Sequence, residues 1–182
     1  MSYKIVNLVA STDLGLEIDL HQVAEKLRNS EYEPEQFPGA ILKLTQPKAT
    51  ILVFKNGKIV IVGCKTKKDI ESAIKLAYDQ LKKVSTKIRK RMKKIPYQIT
   101  NIVALADLKT DLNLFEIVEE LEANVEYEPE QFPGTILKLD KPKVTVLVFK
   151  NGKLIIAGSK SEEEVKEAIK KVKKLLKPFI RK

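Results

Sequence analysis

The chain has 182 residues, 43% of them apolar, and its 34 basic and 24 acidic residues give a formal net charge of +10. This composition predicts one or two globular domains inside the cell, because no apolar run approaches the roughly 20 residues of a membrane-spanning helix and residues 1–12 lack the apolar segment of a secretory signal. A single cysteine, Cys64, and a single histidine, His21, exclude an internal disulfide and predict no metal site. Because no metal-ligand set and no paired-carboxylate cleft accompanies the acidic residues, catalysis is not expected.

The first half of the chain predicts a strand, a helix, three strands and a second helix. Asp19 is a typical residue to open the first helix, and the Asn56-Gly57 dipeptide is typical of a tight hairpin between two strands. The predicted elements are a strand at Ile5–Ala10, a helix from Asp19, strands at Ala40–Leu44, Ala49–Lys55 and Lys58–Gly63, and a helix at Lys67–Val84.

The second half of the chain repeats the first. The nonapeptide EYEPEQFPG occurs at residues 31–39 and again at 126–134, and 26 of 39 positions are identical when residues 31–69 are aligned with 126–164. The same elements are therefore predicted again, with a strand at Ile99–Ala104, a helix opened by Asp111 and Asn113, and a last helix at Ser161–Leu176. Such a duplication predicts two structural repeats, at residues 1–94 and 95–182.

A basic segment ends the first repeat. Residues 82–94 contain eight basic residues and no acidic residue, a pattern typical either of a basic stripe on an extended helix or of a solvated linker. Together with a pI near 9.5 it favours a polyanionic partner, nucleic acid first among them. A lysine-rich surface that serves only solubility or heat stability is the alternative.

The predicted strands carry apolar residues on both faces. In TILVFK, Thr50, Leu52 and Phe54 point to one side and Ile51 and Val53 to the other, since strand side chains alternate. Two amphipathic helices in each repeat can cover one side of a four-stranded sheet, so the other side needs a partner protein, a second copy, the other repeat or a ligand with a broad apolar surface.

Both copies of EYEPEQFPG are followed by ILKL, PK, LVF, NGK and a glycine-x-lysine. This series resembles the signature of the TATA-binding protein family in its archaeal form, and the resemblance runs from about Tyr3 to Leu176. It implies an α+β fold in which two pseudo-symmetric repeats form a saddle, with a ten-stranded curved antiparallel sheet and helices on the convex face. It also implies a concave face that lies on the widened minor groove of DNA.

The resemblance assigns roles to residues that match the family pattern. Four phenylalanines match the side chains that wedge between base steps: Phe37, Phe54, Phe132 and Phe149. The base contacts fall on two asparagines and an apolar floor: Asn7, Asn101, Val9, Val103, Leu52, Leu147, Val60, Ile155, Val62 and Ala157. Val62 and Ala157 stand where the family commonly has threonine, which shifts the expected readout toward apolar contact and DNA shape.

Further matches fall on the sheet ends and on the acidic loops. The implied phosphate contacts are Lys43, Asn56, Lys58, Lys65, Lys138, Asn151, Lys153 and Lys160. In the second loop, Glu128, Glu130 and Gln131 match residues that dock transcription factor B. Acidic side chains on an outer rim suit a basic protein that also touches DNA.

The function expected from this resemblance is that of a general transcription initiation factor, which is not an enzyme and needs no cofactor. Its implied partners are TATA-box promoter DNA, transcription factor B and RNA polymerase, with a homodimer in the absence of DNA left open. Two other functions stay open on the residues themselves. One is a tandem single-stranded RNA binder that uses aromatic side chains on a sheet; the other is a scaffold whose sheet face binds protein only.

Overall fold

The computed structural model describes residues 2–88 and 95–180. The chain forms two compact units, Asn7–Thr100, called here the amino unit, and Met1–Val6 with Asn101–Lys182, called the carboxyl unit. The predicted basic segment, residues 82–94, lies outside the described residues from position 89 onward.

The amino unit is an antiparallel sheet with the strand order β2-β3-β4-β5-β1. The first residues of β1 group with the carboxyl unit. The elements are β1 Tyr3–Asp13, α1 Leu20–Lys26, β2 Ser30–Glu31, β3 Ala40–Thr45, β4 Lys48–Val53, β5 Lys58–Cys64 and α2 Lys67–Leu81.

The carboxyl unit repeats this arrangement with the strand order β6-β10-β9-β8-β7. A short 3₁₀ helix at Lys177–Phe179 follows its last α-helix. The elements are β6 Gln98–Asp107, α3 Leu114–Glu120, β7 Asn124–Glu126, β8 Thr135–Asp140, β9 Lys143–Val148, β10 Lys153–Ser159 and α4 Glu162–Leu176. The helices of the described ranges are too short or too polar to cross a membrane.

Each predicted element is present, but the residue pattern missed the fifth strand of each unit. β2 pairs with β3 and β7 pairs with β8, and each short strand overlaps the start of a nonapeptide. Strands of two or three residues carry no alternation that a sequence can show, so only their pairing reveals them.

Several elements begin or end at residues other than the predicted ones, because hydrogen bonds determine where each element begins and ends. β1 extends beyond Ala10 to Asp13, which pairs with Lys58 of β5. The strand predicted to Lys55 ends at Val53, since the Phe54 amide already donates to the Lys58 carbonyl across the hairpin. At the start of α3 the cap is Asn113, whose side-chain oxygen accepts from the amides of Phe115 and Glu116.

The helices of each unit cover one face of its sheet. In the amino unit α2 packs on β4 and β5, where Ile51, Val53, Ile59 and Ile61 are fully buried. The alternate residues of the same strands stay partly exposed. Burial of each of these four side chains contributes about 1.5 to 3 kcal/mol to the free energy of folding. The core therefore lies where the helices meet the sheet, and the described residues of the unit leave the opposite face of the sheet uncovered.

The hairpin glycine Gly57 gives a stability prediction. Its φ is +89°, and a Cβ added there would overlap the carbonyl oxygen of Leu16, whereas Gly15 has φ +73° and nothing within 4 Å of the added atom. We expect Gly57→Ala to lower the free energy of unfolding by about 3 kcal/mol or more and Gly15→Ala by about 1 kcal/mol. Urea denaturation of both variants measures the difference, and equal losses would contradict a steric role for Gly57.

Candidate nucleic-acid interface

The uncovered face of each unit is a set of side chains in register. Residues directly opposite each other on neighbouring strands share a face, and the pairings of β3, β4, β5 and β1 in the amino unit are matched by those of β8, β9, β10 and β6 in the carboxyl unit. One row of the amino unit consists of Ile41, Leu52, Val60 and Ser11, and the matching row of the carboxyl unit consists of Ile136, Leu147, Ile155 and Leu105.

The residues predicted as an apolar floor lie on this face. They are half-buried, as expected for side chains that the helices do not cover, and the two units agree position by position: Val9, Leu52, Val60 and Val62 in the amino unit, Val103, Leu147, Ile155 and Ala157 in the carboxyl unit. The face is therefore apolar and accessible in each unit.

The pairing identifies face residues that were not among the predicted base contacts. Thr50 lies opposite Val62, and Thr145 lies opposite Ala157. The positions where the family commonly has threonine are apolar here, yet a threonine stands beside each of them on the neighbouring strand. Ile41 and Ile136 could have been added to the predicted interface from the alternation of β3 and β8. Ile41 lies on the same face of β3 as the predicted Lys43, and Ile136 lies on the same face of β8 as the predicted Lys138.

The two asparagines are held by a hydrogen bond from the backbone. The Asn7 Oδ1 atom accepts from the Gly63 amide at 2.8 Å, and the Asn101 Oδ1 atom accepts from the Gly158 amide at 2.8 Å. Both glycines have φ near +100°, and the strand register shifts beside them, which frees their amides from the ladder. With Oδ1 engaged, each side chain presents its NH₂ group as the available donor on the apolar face.

The predicted wedge phenylalanines form one pair in each unit. The ring centroids of Phe37 and Phe54 lie 5.8 Å apart, and those of Phe132 and Phe149 lie 5.7 Å apart. All four rings are half-buried. A glycine lies under each pair: a Cβ at Gly134 would lie 3.0 Å from the Phe132 ring and 3.1 Å from the Phe149 ring, so the pair needs a residue without a side chain there.

The predicted phosphate-binding residues are exposed at the ends and edges of the strands. The Asn56 and Asn151 Oδ1 atoms accept from the Lys58 and Lys153 amides at 3.0 and 3.1 Å, which fixes the hairpins. Lys43 makes an exposed ion pair with Glu31 at 3.9 Å, a contact of little energy that an anion could displace. The remaining exposed lysines of the set are Lys65, Lys138 and Lys160.

The two identical nonapeptides fold alike but have different neighbours. In the second copy the Glu128 carbonyl accepts from the amides of Gln131 and Phe132, both at 2.9 Å, and the side chains of Glu128, Glu130 and Gln131 are exposed. Tyr127 contacts Phe115 edge to face at 5.1 Å, and Phe115 is 61% exposed. In the first copy His21 takes the place of this phenylalanine, against Tyr32.

The cysteine lies in the core and is a poor nucleophile. Cys64 is buried in β5, and burial, with a smaller effect of the Asp69 charge, raises the pKa of its thiol to about 11. The thiol therefore stays protonated at neutral pH. Within residues 2–88 and 95–180, no group of three or more His, Cys, Asp or Glu side chains could hold a metal ion.

Fold and face together define a duplicated α+β protein with an open apolar sheet face in each unit. The family model described as Transcription factor TFIID (or TATA-binding protein, TBP) matches residues 2–84 and 96–179. The TATA-box-binding protein of Methanocaldococcus jannaschii is 47% identical to this chain, and the alignment covers 93% of this chain and 90% of that protein. The TATA-box-binding protein of Archaeoglobus fulgidus is 43% identical, and the alignment covers 93% of this chain and 91% of that protein. The chain belongs to the TATA-binding protein family, a family of general transcription factors.

A solved structure supports the same conclusion. The chain described as Methanococcus jannaschii TBP matches with a TM-score of 0.86 and 46% identity, over 98% of this chain and 99% of that chain. The match confirms the predicted α+β fold class, with ten antiparallel strands and four α-helices in residues 2–88 and 95–180.

Proposed function

We propose that this chain binds TATA-box promoter DNA in the minor groove, kinks it, and presents the bent complex to transcription factor B and RNA polymerase. Each unit applies its uncovered sheet face to the groove. The two ranges that match the family model support a division into repeats at residues 1–94 and 95–182.

The orientation of the asparagines is the observation that carries this proposal. On the floor of the minor groove an A·T pair offers only acceptors, A N3 and T O2, whereas a G·C pair adds the N2 amine as a donor. The Asn7 and Asn101 Oδ1 atoms are occupied by backbone amides, so their NH₂ groups face the groove as donors. A donor suits the A·T acceptors and opposes the guanine amine.

The phenylalanine pairs supply the kink. An apolar wedge that enters a base step unstacks it, and the bent DNA then contacts more protein surface. Phe37 with Phe54, and Phe132 with Phe149, form tilted pairs of half-buried rings, so a base can replace water on each pair without opening the core.

The lysines hold the phosphates, and Lys153 gives a test of this role. Each phosphate contact that is lost lowers the slope of log K against log salt concentration by about one unit. We expect Lys153→Ala to lower the slope by that amount, with an equal loss of affinity on A·T-rich and mixed sequences. Lys170→Ala removes an equally exposed charge from α4 and serves as the control, because the helices lie on the other face of the sheet. Equal slopes for the two variants would remove Lys153 from the interface.

The second loop is the better site for factor B because its surroundings are more acidic. Residues 113–131 carry a net charge of −7, with no basic residue, whereas the matching residues 19–36 carry a net charge of −3 that includes Lys26 and Arg28. A basic partner is drawn to the more negative surface. The exposed Phe115 beside Tyr127 adds an aromatic contact, so identical loops offer different sites.

A gel shift with a bend-reporting duplex tests the proposed DNA binding. The probe carries an A·T-rich octamer, and the control duplex has G·C pairs in the same positions. We expect tight binding and bending of the first probe and only weak, salt-sensitive binding of the second. Equal binding to both duplexes, or binding without bending, would contradict the proposal. A preference for single-stranded RNA, or binding of protein but no nucleic acid, would favour one of the two alternative functions.

A further inference from the structure

One pair of matching face positions differs in polarity between the two units. Across the face described above, the amino and carboxyl units carry identical or similarly apolar residues, with the exception of Ser11 in the amino unit and Leu105 in the carboxyl unit. Ser11 lies opposite Val60 on β5, and Leu105 lies opposite Ile155 on β10. The two side chains therefore occupy equivalent places in the two units.

These positions lie beside the wedge phenylalanines. In the amino unit Ser11, Phe54 and Val60 line one depression of the surface, which extends to residues of α2 and to residues 95–98. In the carboxyl unit Leu105, Phe149 and Ile155 line another, with a volume of about 600 Å³. Leu105 is 39% exposed, so its side chain is available to whatever lies on the face. A base pair placed against either phenylalanine is then next to a serine in one unit and to a leucine in the other.

The two side chains treat a guanine amine differently. A serine hydroxyl can donate to A N3 or T O2, and it can also rotate to accept from the guanine N2 amine. A leucine does neither: it removes water from the amine without giving it a partner, which is unfavourable for a G·C pair and tolerable for an A·T pair.

We propose that Ser11 and Leu105 set the direction in which this protein lies on an asymmetric site. The amino unit accepts a G·C pair beside its wedge residues and the carboxyl unit excludes it. The favoured binding orientation is therefore the one that places Leu105 over the half-site made only of A·T pairs. This inference rests on the proposed binding to the minor groove. It adds a specificity that the asparagines cannot provide, because Asn7 and Asn101 are equivalent in the two units.

Directional binding is measured by energy transfer on a palindromic A·T octamer into which one G·C pair is introduced. The G·C pair is moved in turn through the positions of one half-site. A donor dye is attached to an exposed thiol introduced by Lys174→Cys, which is on α4, and an acceptor dye is attached to one DNA end. Because Cys64 is buried, the dye reacts with the introduced thiol at neutral pH.

We expect the wild-type protein to favour the orientation with the amino unit over the G·C pair by about tenfold at one position of the scan, as a lost hydrogen-bond partner implies. The exchange variant Ser11→Leu with Leu105→Ser is expected to reverse the preference. Leu105→Ser by itself is expected to abolish it, and Leu105→Thr, with a side chain that suits a strand, gives the same readout if the serine variant unfolds.

A preference that the exchange leaves unchanged, or equal populations for the wild-type protein at every position of the scan, would overturn the inference. Neither result is the same as failure of the proposed function. If the protein did not bind the all-A·T octamer at all, the proposed function itself would be wrong, and the energy transfer would be absent rather than evenly divided.

Discussion

Phe149→Ala is expected to lower the affinity for an A·T-rich octamer by about 10- to 100-fold, since an aromatic contact to a base contributes about 1 to 3 kcal/mol. Bending should decrease with it. The Phe149 ring lies 5.7 Å from Phe132 over Gly134, so the truncation removes one half of the proposed wedge and leaves the other half without support. Titration of a bend-reporting duplex measures affinity and bending in the same experiment.

Phe115→Ala is the matched control for this prediction. It makes the same substitution in the same unit, at a ring that is 61% exposed on α3 and not on the sheet face, so DNA affinity and bending should stay unchanged. Because Phe132 and Phe149 act as a pair, the double alanine variant is expected to lose little more than either single variant. If Phe149→Ala changed only the salt dependence of binding, its role as a wedge would be wrong. Thermal unfolding of each variant separates loss of binding from loss of fold.

Asn101→Asp is expected to lower affinity for the same octamer by about 100-fold with little change in stability. The substitution keeps an oxygen that accepts from the Gly158 amide at the position where Asn101 Oδ1 accepts at 2.8 Å. It replaces the NH₂ donor with a carboxylate oxygen, which faces the A N3 and T O2 acceptors and lies near phosphates. The result is repulsion where the wild-type side chain donates a hydrogen bond.

Two further variants separate the donor from the backbone contact. Asn113→Asp makes the same change at the cap of α3, where Asp19 stands in the other unit, and should leave DNA binding unchanged. Asn101→Ala removes the acceptor for the Gly158 amide and should lower the free energy of unfolding by about 1 to 3 kcal/mol. A protonated carboxyl group can donate, so Asn101→Asp should recover part of its affinity as the pH falls toward about 4. Full affinity of Asn101→Asp at neutral pH would exclude the proposed role of the NH₂ group.

The sequence predicted most of the fold because its signals are local. The hairpin dipeptide and the cap residues Asp19 and Asn113 depend on neighbours a few residues away, and the identity between the repeats carries these local signals over to the second repeat. The predicted helices and longer strands are all present, with ends that differ by a few residues. β2 and β7 were missed because strands of two or three residues have no period to detect.

The candidate site was predicted in part. Alternation placed Thr50, Leu52 and Phe54 on one face, and the resemblance to a known family supplied the asparagines, the phenylalanines and the other residues of the apolar floor. Neither could place Ser11 and Leu105 beside the wedge residues, because that placement depends on which residues of β5 and β10 lie opposite them. Register across a sheet is decided by contacts between distant segments, and a shift of one residue would turn each side chain to the other face.

By itself, the sequence determined that the chain is a duplication, because the two copies align directly. It also determined which elements each repeat contains and which residues alternate along each strand, since these follow from residue identity over short distances. The tertiary structure decided which hydrogen-bonding groups of those residues are engaged by the backbone and which stay available on the sheet face. The amide of Gly63 meets Asn7 across a separation of 56 residues, and that of Gly158 meets Asn101 across 57. Only where a shift in register frees the glycine amide can it bind the Oδ1 atom of the asparagine and leave the NH₂ group for the proposed contact with DNA.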